Sequence, residues 1–311
     1  MFDFIAIPFG WVLKLIYELI GSYGLSLIVF TVFTKLILLP LMLKSKRSIK
    51  QVQKLQPRIQ EIQKKYANNK QKQQEEIAKI YQDEQVNPAG SCLPTLITMP
   101  IMIGLYYVIQ QPLTYIMRIE EEKIMQIASI LNIEVTSLRL SEINIASQVF
   151  NNFDKVAGIS ENLMKIDFDF LGFNLAMTPS LTSGPKLLIL IPVLSGIISY
   201  FSMQVTQKMQ GTKDVEQPPA MKSMMITMPF MSAYFGFILP AGIGVYLITG
   251  NILSMIQEVF LTKYVNKLEE QEEALKKETA ERAERNRLKE IELKKEDQKR
   301  KEEEKKNKKK K

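Results

Sequence analysis

The sequence predicts an all-α polytopic membrane protein, a five-helix transmembrane bundle with a cytoplasmic helical hairpin and a basic C-terminal tail. Three observations predict it. First, the 311 residues segregate into long apolar runs and densely charged stretches, so that a mean hydropathy of −0.04 hides two opposite populations. Second, five of the runs approach or exceed the ~20 helical residues that cross a hydrocarbon core of ~30 Å. Third, there is no histidine and a single cysteine, Cys92. This removes imidazole-assisted nucleophiles, histidine-ligated metals, cysteine metal clusters and internal disulfides at once.

Taken in order, the apolar runs cover residues 25–43, 93–117, 187–206, 221–239 and 243–261. Each holds at most one or two charges, and several hold Pro or Gly, which membrane helices tolerate. Pro240-Ala241-Gly242 separates the last two and reads as a tight helical hairpin. Residues 44–90 between the first two runs hold eleven basic and five acidic residues, whereas residues 118–185 hold five basic and nine acidic. The tail, 263–311, holds nineteen basic and fourteen acidic residues. Basic segments face the cytoplasm, so the N-terminus is expected outside and the C-terminus inside.

Residues 1–23 read as an amphipathic helix on the outer face. The first lysine is Lys14, so no basic region precedes the apolar stretch as in a signal peptide, and Trp11 and Tyr17 suit a headgroup boundary. Residues 44–90 read as a helical hairpin: Ile49, Val52, Leu55, Ile59, Ile62 and Tyr66 recur at three- and four-residue steps, with Ile77, Ile80 and Tyr81 on a return arm. Its turn falls at Ala67-Asn68-Asn69-Lys70, and Pro57 is expected to kink the first arm. In 118–185 the first part reads as helix, residues 168–179 as a loop re-entering the membrane, and the scattered acids as a solvated face. Residues 207–219 form a cytoplasmic loop between the third span (186–206) and the fourth (220–239), and 240–262 form the fifth. The tail should begin as a continuation of that helix and be disordered from residue 305.

Lys35 is the anomaly. It lies near the middle of the first run, too deep to reach either headgroup layer easily, where a lysine costs about 2.5–3.5 kcal/mol. Thr31 and Thr34 stand beside it. No acid occurs at matching depth in another span, and Glu258 lies near the cytoplasmic end of the fifth. Lys35 is therefore expected in a hydrated cavity rather than in a packed helix contact. Thr98, Gln204 and Thr227 are candidates to line it, with proline-bent helices and a methionine-rich wall (Met99, Met102, Met221, Met224, Met225, Met228, Met231) around them.

Several stretches resemble the YidC/Oxa/Alb family of membrane protein insertases. They are GLSLIVFTVFTKLILLPLMLKSKRSIKQVQKLQPRIQEIQKKY, NPAGSCLPTLITMPIMIGLYYVI and MPFMSAYFGFILPAGIGVYLITGNILSMIQE, which occur in the family's order across residues 20–262. The resemblance implies five spans around a hydrophilic groove open to cytoplasm and lipid, a cytoplasmic hairpin, and a basic tail that contacts ribosomes. The family groove usually carries arginine where this chain has Lys35, which keeps the charge but loses the planar fork. Gln204 stands where the family has a polar groove residue, and Val245-Tyr246-Leu247 where it often reads Leu-Tyr-Trp.

The function expected from this resemblance is insertion of nascent transmembrane segments and short polar tails into the bilayer, without a covalent step, and the location it implies is the bacterial plasma membrane. The expected groove residues are Lys35, Thr31, Thr34, Thr98 and Gln204, with no catalytic residue, metal or cofactor. Expected partners are nascent membrane proteins, the ribosome through the basic tail, the Sec translocon and anionic lipid. Two other classes fit the composition: a channel or small-anion transporter using the same cavity, and a membrane anchor for ribosomes or RNA. Physics alone does not separate the insertase from the transporter; the motifs favour the insertase.

Overall fold

A computed structural model describes residues 3–87, 90, 93–135, 137–180, 185–210 and 219–308, the side chains of 93–95, 140, 219–226 and 291–308 excepted. The chain divides into two units, Met1–Leu261 and Thr262–Lys311. Helices dominate both. Three of them, Tyr23–Lys65, Lys186–Met209 and Ala241–Glu290, are long and apolar enough to cross a membrane, and a shorter apolar helix covers Leu96–Gln110.

Helix α1 (Asp3–Ile20) buries Ala6, Gly10, Leu13 and Tyr17 at helical spacing. This stripe, Tyr17 included, packs on protein. A Cβ on Gly10 would stand 2.0 Å from the Tyr115 carbonyl oxygen, so only glycine fits there. The Phe9 ring meets Phe30 edge-on at 5.2 Å. The opposite face, with Phe4, Ile7, Trp11 and Leu19, is exposed. Gly21, at φ +73°, turns the chain into α2 (Tyr23–Lys65), which continues without interruption from the first apolar run into the first arm of the charged hairpin, through Pro40 and Pro57. Asn69 caps α3 (Lys70–Asp83), its side chain accepting from the Lys72 amide at 3.0 Å. Lys65 and Lys72 both sit over the Tyr66 ring at the hairpin tip.

The second apolar run is not one helix. Helix α4 (Leu93–Gln110) ends two residues before Pro112, because the proline drives Gln111 out of helical geometry, to φ −126° and ψ 63°. The four-residue α5 (Pro112–Tyr115) follows. The region after it builds α6 (Glu121–Ile130), α7 (Leu138–Asn151) and α8 (Phe153–Val156) around buried Ile124, Ile127, Ile145, Val149 and Val156.

The expectation of a plain solvated face fails at Glu142. It is 1% exposed, and its carboxylate accepts from the Thr114 amide at 2.6 Å and the Thr114 hydroxyl at 2.9 Å. The segment expected to re-enter the membrane forms a small antiparallel hairpin, β1 (Asp169–Phe170) and β2 (Phe173–Asn174), turned by Leu171 and Gly172 at positive φ.

Helix α9 (Leu190–Met209) packs closely on α10 (Pro219–Ile238). Leu239 and Pro240 separate α10 from α11 (Ala241–Lys308), whose first amides, from Ala241 and Gly242, donate to the Met177 and Leu175 carbonyls at 2.9 Å. In the second unit the helix runs through Lys308, past the residue where disorder was expected.

Candidate functional site

Lys35 finds its partners on α11. Its ammonium donates to Ser254 Oγ at 2.7 Å, and that hydroxyl donates onward to the Gly250 carbonyl at 2.8 Å. The serine proton is thus committed elsewhere, and an oxygen lone pair faces the lysine. Gln257 Nε2 donates to the Lys35 carbonyl at 3.1 Å, using the lone pair that the helix leaves free. Lys35 itself is half-buried, and no carboxylate pairs with it among the described residues.

The other expected groove residues behave differently. Thr31 and Thr34 are buried, and their hydroxyls donate to the carbonyls of Leu27 (2.6 Å) and Thr31 (2.9 Å) in their own helix. Their donors are spent on the backbone, as threonine in a membrane helix commonly arranges. Thr98 on α4 and Gln204 on α9 are both half-buried, and the Lys35 ammonium bonds Ser254 rather than any of these four. Thr227 on α10 has an exposed side chain, as do Met99, Met228 and Met231. Met221, Met224 and Met225 lie outside the described side chains.

Three turns further along α2, the buried Lys46 pairs with Glu258, which also accepts from Gln210 Nε2 of α9 at 3.4 Å. The Ser202 hydroxyl of α9 reaches the Asn251 carbonyl at 3.4 Å. Asn251, Ser254 and Glu258, spaced three and four residues apart, therefore form one polar line along α11, met by α2 on one side and α9 on the other. Across this seam the side chains of Lys35, Ser254, Gln257, Lys46 and Glu258 join α2 to α11. Sequence reasoning found Lys35 by its depth but missed Ser254, Gln257 and Lys46, and it weighed Glu258 only as a partner for Lys35. The available signal was the 251–254–258 spacing of polar residues on an apolar helix.

Between α9 and α10 lies an apolar groove of about 560 Å³ lined by Gly196, Ile197, Tyr200, Phe201, Pro229 and Phe230, among others. The seam presents a cation, a hydroxyl and amides between apolar helices. Such an arrangement attracts anionic or polar groups and lets apolar ones pass alongside.

A sequence model of the 60Kd inner membrane protein family matches residues 15–270. The chain is 29% identical over 244 residues to the membrane protein insertase YidC of Fusobacterium nucleatum subsp. nucleatum, across 78% of this chain and 88% of that one. It is 31% identical over 246 residues to the membrane protein insertase YidC of Clostridium tetani, across 79% of this chain and 84% of that one. A crystal structure of active YidC insertase with its first transmembrane domain resolved aligns with 82% of this chain and 46% of its own, at 22% identity and a TM-score of 0.48.

Proposed function

The chain belongs to the 60Kd inner membrane protein family, and from that premise we propose that it is a membrane protein insertase whose polar seam receives the hydrophilic part of a client. The observation that carries the reading is Lys35, an ammonium held by a serine hydroxyl between two apolar helices instead of being neutralised by an acid. The barrier to insertion is moving a short polar segment through ~30 Å of hydrocarbon, where each unsatisfied polar group costs several kcal/mol. A hydrated seam reaching Lys35 shortens the dry path. The ammonium attracts acidic residues in the client tail, Ser254 and Gln257 supply hydrogen bonds as water is shed, and the client's apolar helix leaves sideways into lipid past α9 and α10.

Five spans are proposed for this integral membrane protein, with the N-terminus outside and the C-terminus in the cytoplasm. Its clients are nascent membrane proteins. The basic tail recruits the translating ribosome and raises the local concentration of client at the seam, while anionic lipid and the Sec translocon are further partners. Thr98 and Gln204 belong to the proposed groove as polar lining beyond the seam.

The test is reconstitution into liposomes with ribosomes translating a single-span client that carries a short acidic outer tail, read by protease protection. Wild type and Lys35→Arg should protect the tail, and Lys35→Ala should lose about tenfold. Equal protection by all three removes the role of Lys35, and no protection above empty liposomes overturns the insertase.

A further inference from the structure

Lys35 and Lys46 are eleven residues apart on α2, three helical turns and about 16 Å, so they project along nearly one line toward α11. Ser254 and Glu258, four residues apart, face them. The seam is a ladder of two cations, of which Lys46 alone is paired with a carboxylate among the described residues. That pair is nearly dry: the Lys46 side chain is 6% exposed and that of Glu258 14%. A dehydrated ion pair is poor evidence of a stabilising staple, because removing both charges from water offsets much of their attraction.

Resting on the insertase reading, we propose that Glu258 is a built-in stand-in for a client carboxylate. In the resting protein it occupies Lys46, and an acidic residue of an arriving tail displaces it and then continues to Lys35. Two features of the seam suit an exchange. The Lys46–Glu258 pair joins α2 to α11 through two long, flexible side chains, so it opens by rotamer change. Gln210 already donates to the Glu258 carboxylate and keeps a hydrogen bond on it when Lys46 leaves. Glu258 thus sets a threshold: a tail must compete with an internal carboxylate before it reaches the unneutralised lysine. This makes it a specificity-determining residue for acidic over neutral tails.

The experiment measures, in the same liposome assay, the ratio of insertion for two clients that differ only in one acidic residue of the translocated tail. Glu258→Gln, which frees Lys46, should raise the acidic-to-neutral ratio about fivefold, and Lys46→Gln should lower it by a similar factor. The exchanged pair, Lys46→Glu with Glu258→Lys, restores the internal competition and should return the ratio toward wild type. A ratio that Glu258→Gln and Lys46→Gln leave unmoved overturns the proposal, as does a Glu258→Gln protein that loses both clients in equal proportion. If Glu258→Gln does not assemble, Glu258→Asp keeps the charge but shortens its reach; a smaller rise in the ratio supports the exchange and an unmoved ratio ends it. Failure of the wild type to insert either client would instead overturn the insertase reading.

Discussion

Between α9 and α10 a Cβ added to Gly236 would come within 2.8 Å of the Pro192 Cα, and one added to Gly196 within 3.0 Å of the Ala233 Cβ. Between α2 and α11 the contact is made instead by the long side chains of Lys35, Lys46, Gln257 and Glu258. The first interface has its helix backbones close, with small residues and a buried Ser195–Ser232 hydroxyl pair at 2.8 Å. At these two glycines no side chain fits between the helices. The second can trade its hydrogen bonds one at a time for water or for groups on another chain. A membrane protein that must both persist and open has reason to build one interface from missing side chains and the other from polar ones.

Gly236→Leu breaks the contrast most directly. Overpacking against Pro192 should cost about 3 kcal/mol, or prevent assembly, read as a fall in the unfolding midpoint in detergent; an unchanged midpoint would mean that α9 and α10 part freely.

Glu142 sharpens the contrast with Glu258, since it is buried on neutral donors rather than beside a lysine. Burial pushes its carboxyl up to about 7, partly offset by hydrogen bonds from Thr114 and the Leu113 amide. The folded protein therefore holds this proton more tightly than the unfolded chain does. The stabilisation is complete below the unfolded value near 4.5 and is lost as pH rises through 7, by about 3 kcal/mol. Denaturant titrations at pH 4.5 and 8 should show the decline, and Glu142→Gln should flatten it; a wild type that gains stability over that range would contradict the burial argument.

Ser254→Ala removes the acceptor facing Lys35 and should cost about 1 kcal/mol, with Ser254→Thr restoring most of it. Ser195→Ala should cost only about half a kcal/mol, since close packing rather than the hydroxyl pair holds α9 to α10. If thermal melts rank Ser195→Ala above Ser254→Ala, the two interfaces have been assigned the wrong way round.

Much of this was legible in the chain. Apolar runs long enough to span and the 3–4 periodicity of Ile49, Val52, Leu55 and Ile59 fixed helices before their neighbours were known. Lys35 stood out because a charge at that depth demands compensation. Its partner did not stand out, because a lone serine in an apolar helix usually bonds its own backbone, as Ser254 also does. The break at Gln111 was marked by Pro112, but the continuous hydropathy across 93–117 concealed it. Glu142 shares a helical stripe with Leu138, Ile145 and Val149, which marks an acid on a buried face; the neighbouring surface acids drowned that signal. The face of α1 that packs was hidden for a different reason. The helix is apolar on two sides, and only the close approach at Gly10 selects one.

One consequence of α2 is mechanical. Its outer end is seated, with Tyr23 1% exposed and Gly24 so close to the Phe170 ring that an added Cβ would meet it at 2.2 Å. From there a single helix runs past Lys35 to the hairpin tip, 43 residues or about 65 Å. Pivoting that rod by about ten degrees about its seated end carries the tip through about 11 Å and Lys35 through about 3 Å, enough to break its bond to Ser254. A displacement of the hairpin tip is thereby geared down nearly fourfold into a small stroke at the half-buried ammonium, the ratio of a lever that trades travel for force.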